Sequence, residues 1–251
     1  RTNAGLFDVS HMGQIIIRGG DALGLVQYVT TNDASKLEVG QAQYACLCQE
    51  DGAVIDDLLV YRFDDHYMLV ANASNREEDV AWIRKYAGRF GAEVVDLSEE
   101  RSILAIQGPK AEAILQKLTE TDLSKIAYYH FVEGTVDGRP AVISRTGYTG
   151  EDGFELYIGS EDAVPLWTKL LEAGQDDGLV PAGLGARDSL RLEMGYGLYG
   201  NDLDRNHTPL EAGLGWVVKL DKGDFLGRAA LERQKQEGVR RRLVGFRLQD
   251  R

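Results

Sequence analysis

The chain has 251 residues, 43% hydrophobic and 27% charged, enough to bury a core as one large domain or two smaller ones. Its net charge of −12 disfavours a broad nucleic-acid or anionic-membrane surface while leaving room for a local basic pocket. The two cysteines, Cys46 and Cys48, complete neither a disulfide nor a metal site and read as small core residues of a protein kept in a reducing compartment.

No hydrophobic run approaches membrane-spanning length, and with the acidic charge this leads to no membrane and no nucleic acid being expected as partners; no signal-peptide pattern is visible, which is uninformative here. The opening Arg1-Thr2-Asn3 lacks an initiator methionine, and the closing stretch is strand-like with no evident stop. Both ends are expected to continue in something longer.

In chain order, Gly13–Arg18 reads as a strand broken by Gly19-Gly20, and Asp21 N-caps a helix over Ala22–Val29. Gln43 to Phe63 then reads as a β-hairpin around Asp51-Gly52, a dipeptide suited to a two-residue type I′ turn. With Glu50 facing Ala53, Tyr44 lies opposite Leu59 and Cys46 opposite Asp57. Side chains alternate along a strand, so Ile55, Asp57, Leu59, Tyr61 and Phe63 share one face with Tyr44, Cys46 and Cys48. Asp57 is the single carboxylate on that face, and Asp56 points the other way. A carboxylate among apolar and aromatic groups is costly unless paired, which makes Asp57 a candidate for chemistry or binding. The pattern is met equally by a half-exposed strand with both aspartates solvated or capped by tyrosine hydroxyls.

Tyr67–Ala71 is a further strand, and the segment from Asn75 to Tyr86 has helical periodicity. A similar order then returns. Ser102–Gln107 is a strand ending at Gly108-Pro109, Lys110–Leu118 a helix, Asp137-Gly138 a hairpin turn, Ala141–Ser144 and Phe154–Ile158 strands, and Glu161–Ala173 a helix. Aligning Ile17 with Ile106 and Trp82 with Trp167 gives one weak strand–helix–strands–helix repeat, against which stands chance recurrence of common elements. Gly183–Met194 reads as a helix, Tyr196–Gly215 as weakly patterned, Trp216–Leu220 as a strand, Gly227–Gln236 as a helix and Arg242–Leu248 as a final strand opening a further domain.

The second dense stretch is Arg145–Tyr157, whose glycines Gly147, Gly150 and Gly153 suit an irregular loop running into a strand. It lacks the Gly-Lys-Ser/Thr of a phosphate loop. Glu155 and Tyr157 face away from Phe154, Leu156 and Ile158, and pattern alone makes Glu155 an exposed sheet residue. Arg187 and Arg191, at i, i+4, call for a counter-anion that Asp188 and Glu193 supply locally or a bound ligand supplies instead. His11, His66, His130 and His207 are scattered, which gives no support to zinc, triad or haem chemistry. The residues describe a carboxylate- and tyrosine-lined pocket with a nearby arginine, suited to a planar hydrogen-bonding ligand carrying negative charge.

Five segments occur in order: Phe7–Gly13 (FDVSHMG), Gly52–Tyr61 (GAVIDDLLVY), Gln107–Pro109 (QGP), Ser144–Glu155 (SRTGYTGEDGFE) and Gly183–Glu193 (GLGARDSLRLE). Together, over essentially the whole chain, they closely resemble the aminomethyltransferase family, the T-proteins of the glycine cleavage system. The resemblance implies an α+β fold with duplicated folate-binding subdomains over residues 1–238, and at 239–251 the first strand of a truncated C-terminal β-barrel. It implies transfer of an aminomethyl group from the lipoyl arm of H-protein to tetrahydrofolate, giving 5,10-methylenetetrahydrofolate, ammonia and dihydrolipoyl protein, without a metal.

By motif, Asp57 resembles the carboxylate near the folate's reacting nitrogens, and Tyr44, Tyr61, Asn72, Tyr128 and Tyr148 its pocket neighbours. Glu155 resembles the residue pairing with the pterin's amino edge, and Arg187 a substrate-contacting arginine. The implied compartment is cytoplasmic in a bacterium or the mitochondrial matrix in a eukaryote. The alternatives are the folate-binding half of a dimethylglycine or sarcosine dehydrogenase, and a non-catalytic folate-binding protein. The latter group carries a Lys-Gly-Cys-Tyr-x-Gly-Gln-Glu motif, where this chain has GARDSLRLE in the comparable region.

Overall fold

A computed structural model describes residues 1–246 of the chain. Strand β2 (Gly13–Arg18) shows how the layers arise: Ile15 and Ile17 are buried on one face and Ile16 on the other. A strand apolar on both faces must be covered twice. Helices α1 (Ala22–Val29) and α2 (Arg76–Phe90) cover one side through Leu25, Val26, Val29, Val80 and Ile83. A second sheet covers the other.

The first sheet has the order β3 (Gln41–Cys48), β4 (Val54–Arg62), β5 (His66–Ala71), β2, β6 (Glu93–Asp96). In the second lie β8 (Phe131–Val136), β9 (Arg139–Ser144), β10 (Gly153–Gly159), β7 (Arg101–Gln107), β1 (Ala4–Asp8) and β11 (Leu179–Pro181), in that order. The two orders match strand for strand except that β1 is inserted between β7 and β11. Helices α3 (Ala111–Leu115) and α4 (Ala163–Gly174) cover the outer face of the second sheet over Leu104, Ile106, Phe154 and Leu156. Between the sheets Ile16, Tyr61, Met68 and Val70 meet Ile103, Phe131, Val142 and Tyr157.

Helix α1 and strand β2 fall where the sequence places them, and the long helix runs on to Phe90, where Gly91 closes it at φ 61°. Strands β1, β6 and β11 were not expected; each is short, and pairing with a neighbour rather than its own pattern makes it a strand. Trp216–Leu220 is not a strand. Gly215–Val217 forms a 3₁₀ turn in which Val217 and Val218 donate back to Leu214 and Gly215, and Val217 and Val218 pack on Cys46 and Cys48. Helices α5 (Leu184–Glu193) and α6 (Arg228–Glu237) are as read, with irregular chain between them. Residues 239–246 form no strand; Leu243 donates its N–H to Glu211 O, and the rest of the expected final strand lies outside the described residues.

Candidate active site

The β3–β4 hairpin decides which aspartate enters the site. Gly52 takes φ 87° while Asp51 does not cross to positive φ, so the loop is not a type I′ pair. Gly52 N–H donates to Gln49 O at 3.0 Å and Gln49 N–H to Ala53 O at 2.8 Å, making a three-residue loop closed by a left-handed glycine. That loop alone would set Cys46 opposite Asp56. A bulge restores the register: Cys48 pairs with Val54, Leu47 with Asp56 and Cys46 with Asp57, leaving Ile55 as the extra residue. The expected pairings Tyr44–Leu59 and Cys46–Asp57 therefore hold. Ile55, expected on the Asp57 face, packs instead with Leu58 and Val60 under the helices.

Asp57 is 9% exposed and accepts hydrogen bonds from Tyr44 OH at 2.7 Å and Asn72 Nδ2 at 3.1 Å. Burial, then the charge of Asp56, push its carboxyl up to about 7, against the pull of those hydrogen bonds. Burial and the Asp57 charge also drive the Tyr44 hydroxyl well above its ordinary value, so it stays a donor. Asp56, fully buried on the opposite face, accepts from Asn72 N–H at 2.9 Å, Asn72 Nδ2 at 2.9 Å and Asn75 Nδ2 at 2.7 Å. Asn72 thus ties the two aspartates together.

Glu155 enters from the second sheet. Its face is turned from Phe154 and Leu156 as expected, but that face looks onto the first sheet rather than solvent. Glu155 Oε2 accepts from Thr146 Oγ1 and, at 3.4 Å, from Tyr157 OH, and burial raises its carboxyl above the usual range. Tyr61 does not line the cavity: it is 0% exposed, and Phe131 packs on its ring at 5.3 Å. Strand parity gives a face and not a depth. Its hydroxyl sits 2.8 Å from Tyr157 OH and 3.1 Å from Thr146 Oγ1, behind the two groups that hold Glu155.

Asp57, Glu155, Tyr44, Asn72, Tyr128, Tyr148 and Arg187 all line one cavity of about 810 Å³ between the sheets. Tyr128 is 62% exposed, at the rim. The Arg187 guanidinium lies 4.8 Å over the Tyr148 ring and makes no ion pair among the described residues. Arg191 takes the local answer, bound at 2.6 Å to Asp188 and also to Asp202. The sequence reading missed Tyr129, Tyr196 and Trp216 on the wall. Trp216, stacked on Tyr44 at 5.8 Å, was hidden by its assignment to a strand, and Tyr196 lies in the segment without periodicity.

Residues 1–222 match the family model described as the GCVT N-terminal domain. An aminomethyltransferase of Alkaliphilus metalliredigens is 57% identical over 254 residues, covering 100% of this chain and 69% of that protein. The chain belongs to the aminomethyltransferase family. A second aminomethyltransferase, from Caldanaerobacter subterraneus subsp. tengcongensis, is 55% identical over 99% of this chain and 67% of its own length. The crystal structure of glycine cleavage system aminomethyltransferase T from Bartonella henselae superposes with a TM-score of 0.87 at 39% identity. That alignment covers 95% of this chain and 64% of the other, so the chain spans about two thirds of the length of the aminomethyltransferases it matches. Similarity of this degree marks it as an enzyme of the aminomethyltransferase kind, with a mixed α+β fold.

Proposed function

We propose that this chain carries the folate-dependent centre of the glycine cleavage aminomethyltransferase, moving the aminomethyl carbon from lipoylated H-protein to tetrahydrofolate. The observation that carries the reading is the pair of carboxyls, buried Asp57 and half-buried Glu155, opening into one aromatic-lined cavity from opposite sheets. Its volume, about 810 Å³, lies within the range of small-molecule sites. A carboxylate such as Glu155, when ionised, accepts hydrogen bonds only, which matches the N–H edge of a pterin. Tyr44, Tyr128, Tyr148 and Trp216 offer flat apolar faces, and Arg187 a cation for a negatively charged tail or substrate.

Tetrahydrofolate supplies the nitrogen that receives the one-carbon unit; the protein supplies position and charge. Held by Tyr44 and Asn72, Asp57 presents a fixed carboxylate to the cationic carbon that forms as ammonia leaves. With a carboxyl pushed up to about 7 it can also take or return a proton at neutral pH. The products are 5,10-methylenetetrahydrofolate, ammonia and dihydrolipoyl protein, and no metal has a part.

The matched strand orders support two duplicated subdomains, with β2 the counterpart of β7 and α2 of α4. The greater length of the relatives leaves room for the further domain expected from residue 239 on, although residues 239–246 themselves form no strand. Their bacterial sources support the cytoplasm as the compartment.

Asp57→Asn tests the reading. Methylenetetrahydrofolate formation with aminomethyl-loaded H-protein is expected to fall by about a hundredfold or more. Tetrahydrofolate affinity, read by titration, is expected to stay within roughly threefold, since Asn keeps the shape and an acceptor for Tyr44. Unchanged turnover would refute the role of Asp57.

A further inference from the structure

Behind Asp57 lies a carboxyl the chemistry above does not use. Asp79, on α2, is fully buried, and neither of its oxygens has an N–H or O–H partner among the described residues. It lies against Asp56, within hydrogen-bonding reach. Two carboxyls in such contact must share a proton, because two anions there would repel with no solvent to screen them.

The donors decide where the proton sits. Asp56 already accepts three N–H groups, from Asn72 and Asn75, and these stabilise it as the anion. Asp79 has none, so it is the acid and gives its O–H to Asp56. The surrounding groups leave this unchanged. From β4 come only Asp56 and Asp57; Glu78 adjoins Asp79 on α2; Tyr199 and Arg205 approach from the irregular segment, and Arg205 is paired with Glu78. Burial, then the facing Asp56 charge, drive the Asp79 carboxyl far above the usual range.

We propose that Asp79 is a positioning residue for the reaction at Asp57: its proton, shared with Asp56, holds Asp56 as the anion that anchors Asn72, and Asn72 orients Asp57. The path is short. Asn72 Nδ2 lies 2.9 Å from Asp56 Oδ1, 3.0 Å from Asp57 O and 3.1 Å from Asp57 Oδ1. Asp56 also sets the negative charge that Asp57 feels. This inference rests on the reading of Asp57 given above.

Two variants separate positioning from packing. Asp79→Asn keeps a neutral donor of the same shape, and Asp79→Leu removes the donor while filling the space. The first measurement is a ¹³C-carboxyl NMR titration of aspartate-labelled protein, which needs no substrate. In the parent protein Asp79 is expected to stay protonated through pH 8. Asp79→Asn is expected to leave the Asp57 midpoint in place. In Asp79→Leu, Asp56 loses a donor and takes up the proton itself, so repulsion on Asp57 falls and its midpoint drops by roughly half a unit or more.

The second measurement is turnover. Asp79→Asn is expected to stay within about twofold of the parent, while Asp79→Leu loses about tenfold or more in kcat with a smaller change in KM for folate. An Asp79 that titrates near 4, or an Asp57 midpoint identical in the parent and Asp79→Leu, overturns the proposal. So does an Asp79→Asn variant as impaired as Asp79→Leu. If the transferase reading itself is at fault, the parent shows no turnover while the NMR midpoints still decide for or against the shared proton.

Discussion

At the scale of the residue, Asp57 shows a site working against the stability of its own fold. Its folded carboxyl is pushed up to about 7 from an ordinary 3.8, mainly by burial. The native state therefore holds a proton that the unfolded chain has released between those values. Stability is unaffected by Asp57 below pH 4, falls as pH rises through the window, and carries the full penalty above 7. Asp57→Asn removes the charge, so urea denaturation at pH 8 should show the variant more stable by on the order of 2 kcal/mol, the gain vanishing near pH 4. A variant less stable at pH 8 would mean that the hydrogen bonds from Tyr44 and Asn72 outweigh burial. Residues of this kind are partly legible in sequence: alternation singled out Asp57 and the face of Glu155. It could not show that Glu155 looks onto a second sheet, nor that Tyr61, on the same strand as Asp57, lies too deep to touch a ligand.

At the scale of the element, the site depends on two local irregularities that cancel. The three-residue loop at Glu50–Gly52 moves the β3–β4 register by one residue, and the bulge at Ile55 moves it back. Asp137-Gly138 offers the contrast, with φ 49° and 74° forming the two-residue turn that its dipeptide implies and Val136 opposite Arg139. The same Asp-Gly pair thus closes two different loops, because the extra residue in β4 is set by packing of Ile55 under the helices and not by the turn. No sequence pattern marks a bulge of this sort, which is why the pairing was legible and its route was not. Gly52, at φ 87° and close to Leu231, is the residue that the longer loop requires. Gly52→Ala should cost about 1–2 kcal/mol in chemical denaturation, from left-handed strain and that contact. Turnover should change little, since the bulge and not the loop sets Asp57 on its face; a large loss of kcat in a folded variant would show the two to be linked.

At the scale of the whole molecule, the segment after α5 closes the site by docking on the first sheet. Trp216 stacks on Tyr44, Val217 and Phe225 pack on Cys46 and Cys48, and Lys219 and Leu226 N–H groups donate to Thr31 O and Tyr28 O. The two buried sheet faces and the repeated element order could be approached from periodicity, but this docking could not, because its backbone follows no period and its partners lie almost two hundred residues away. Lys222 is its anchor. Its amine donates to Gln27 O at 2.6 Å, Thr30 O at 2.6 Å and Asn32 O at 2.7 Å at the C-terminal end of α1, while burial pulls the ammonium down to about 7. Lys222→Met keeps the length and apolar stem but leaves three carbonyls short of a partner, which should destabilise the fold by roughly 2–4 kcal/mol. Amide exchange at Lys219 and Leu226 should accelerate well beyond that of β2 and β7, because the docked segment can detach while the sheets stay paired. Since Trp216 moves with that segment, folate affinity should weaken along with it. Uniform acceleration across β2, β7 and the segment would mean instead that the docking and the two sheets unfold as one unit.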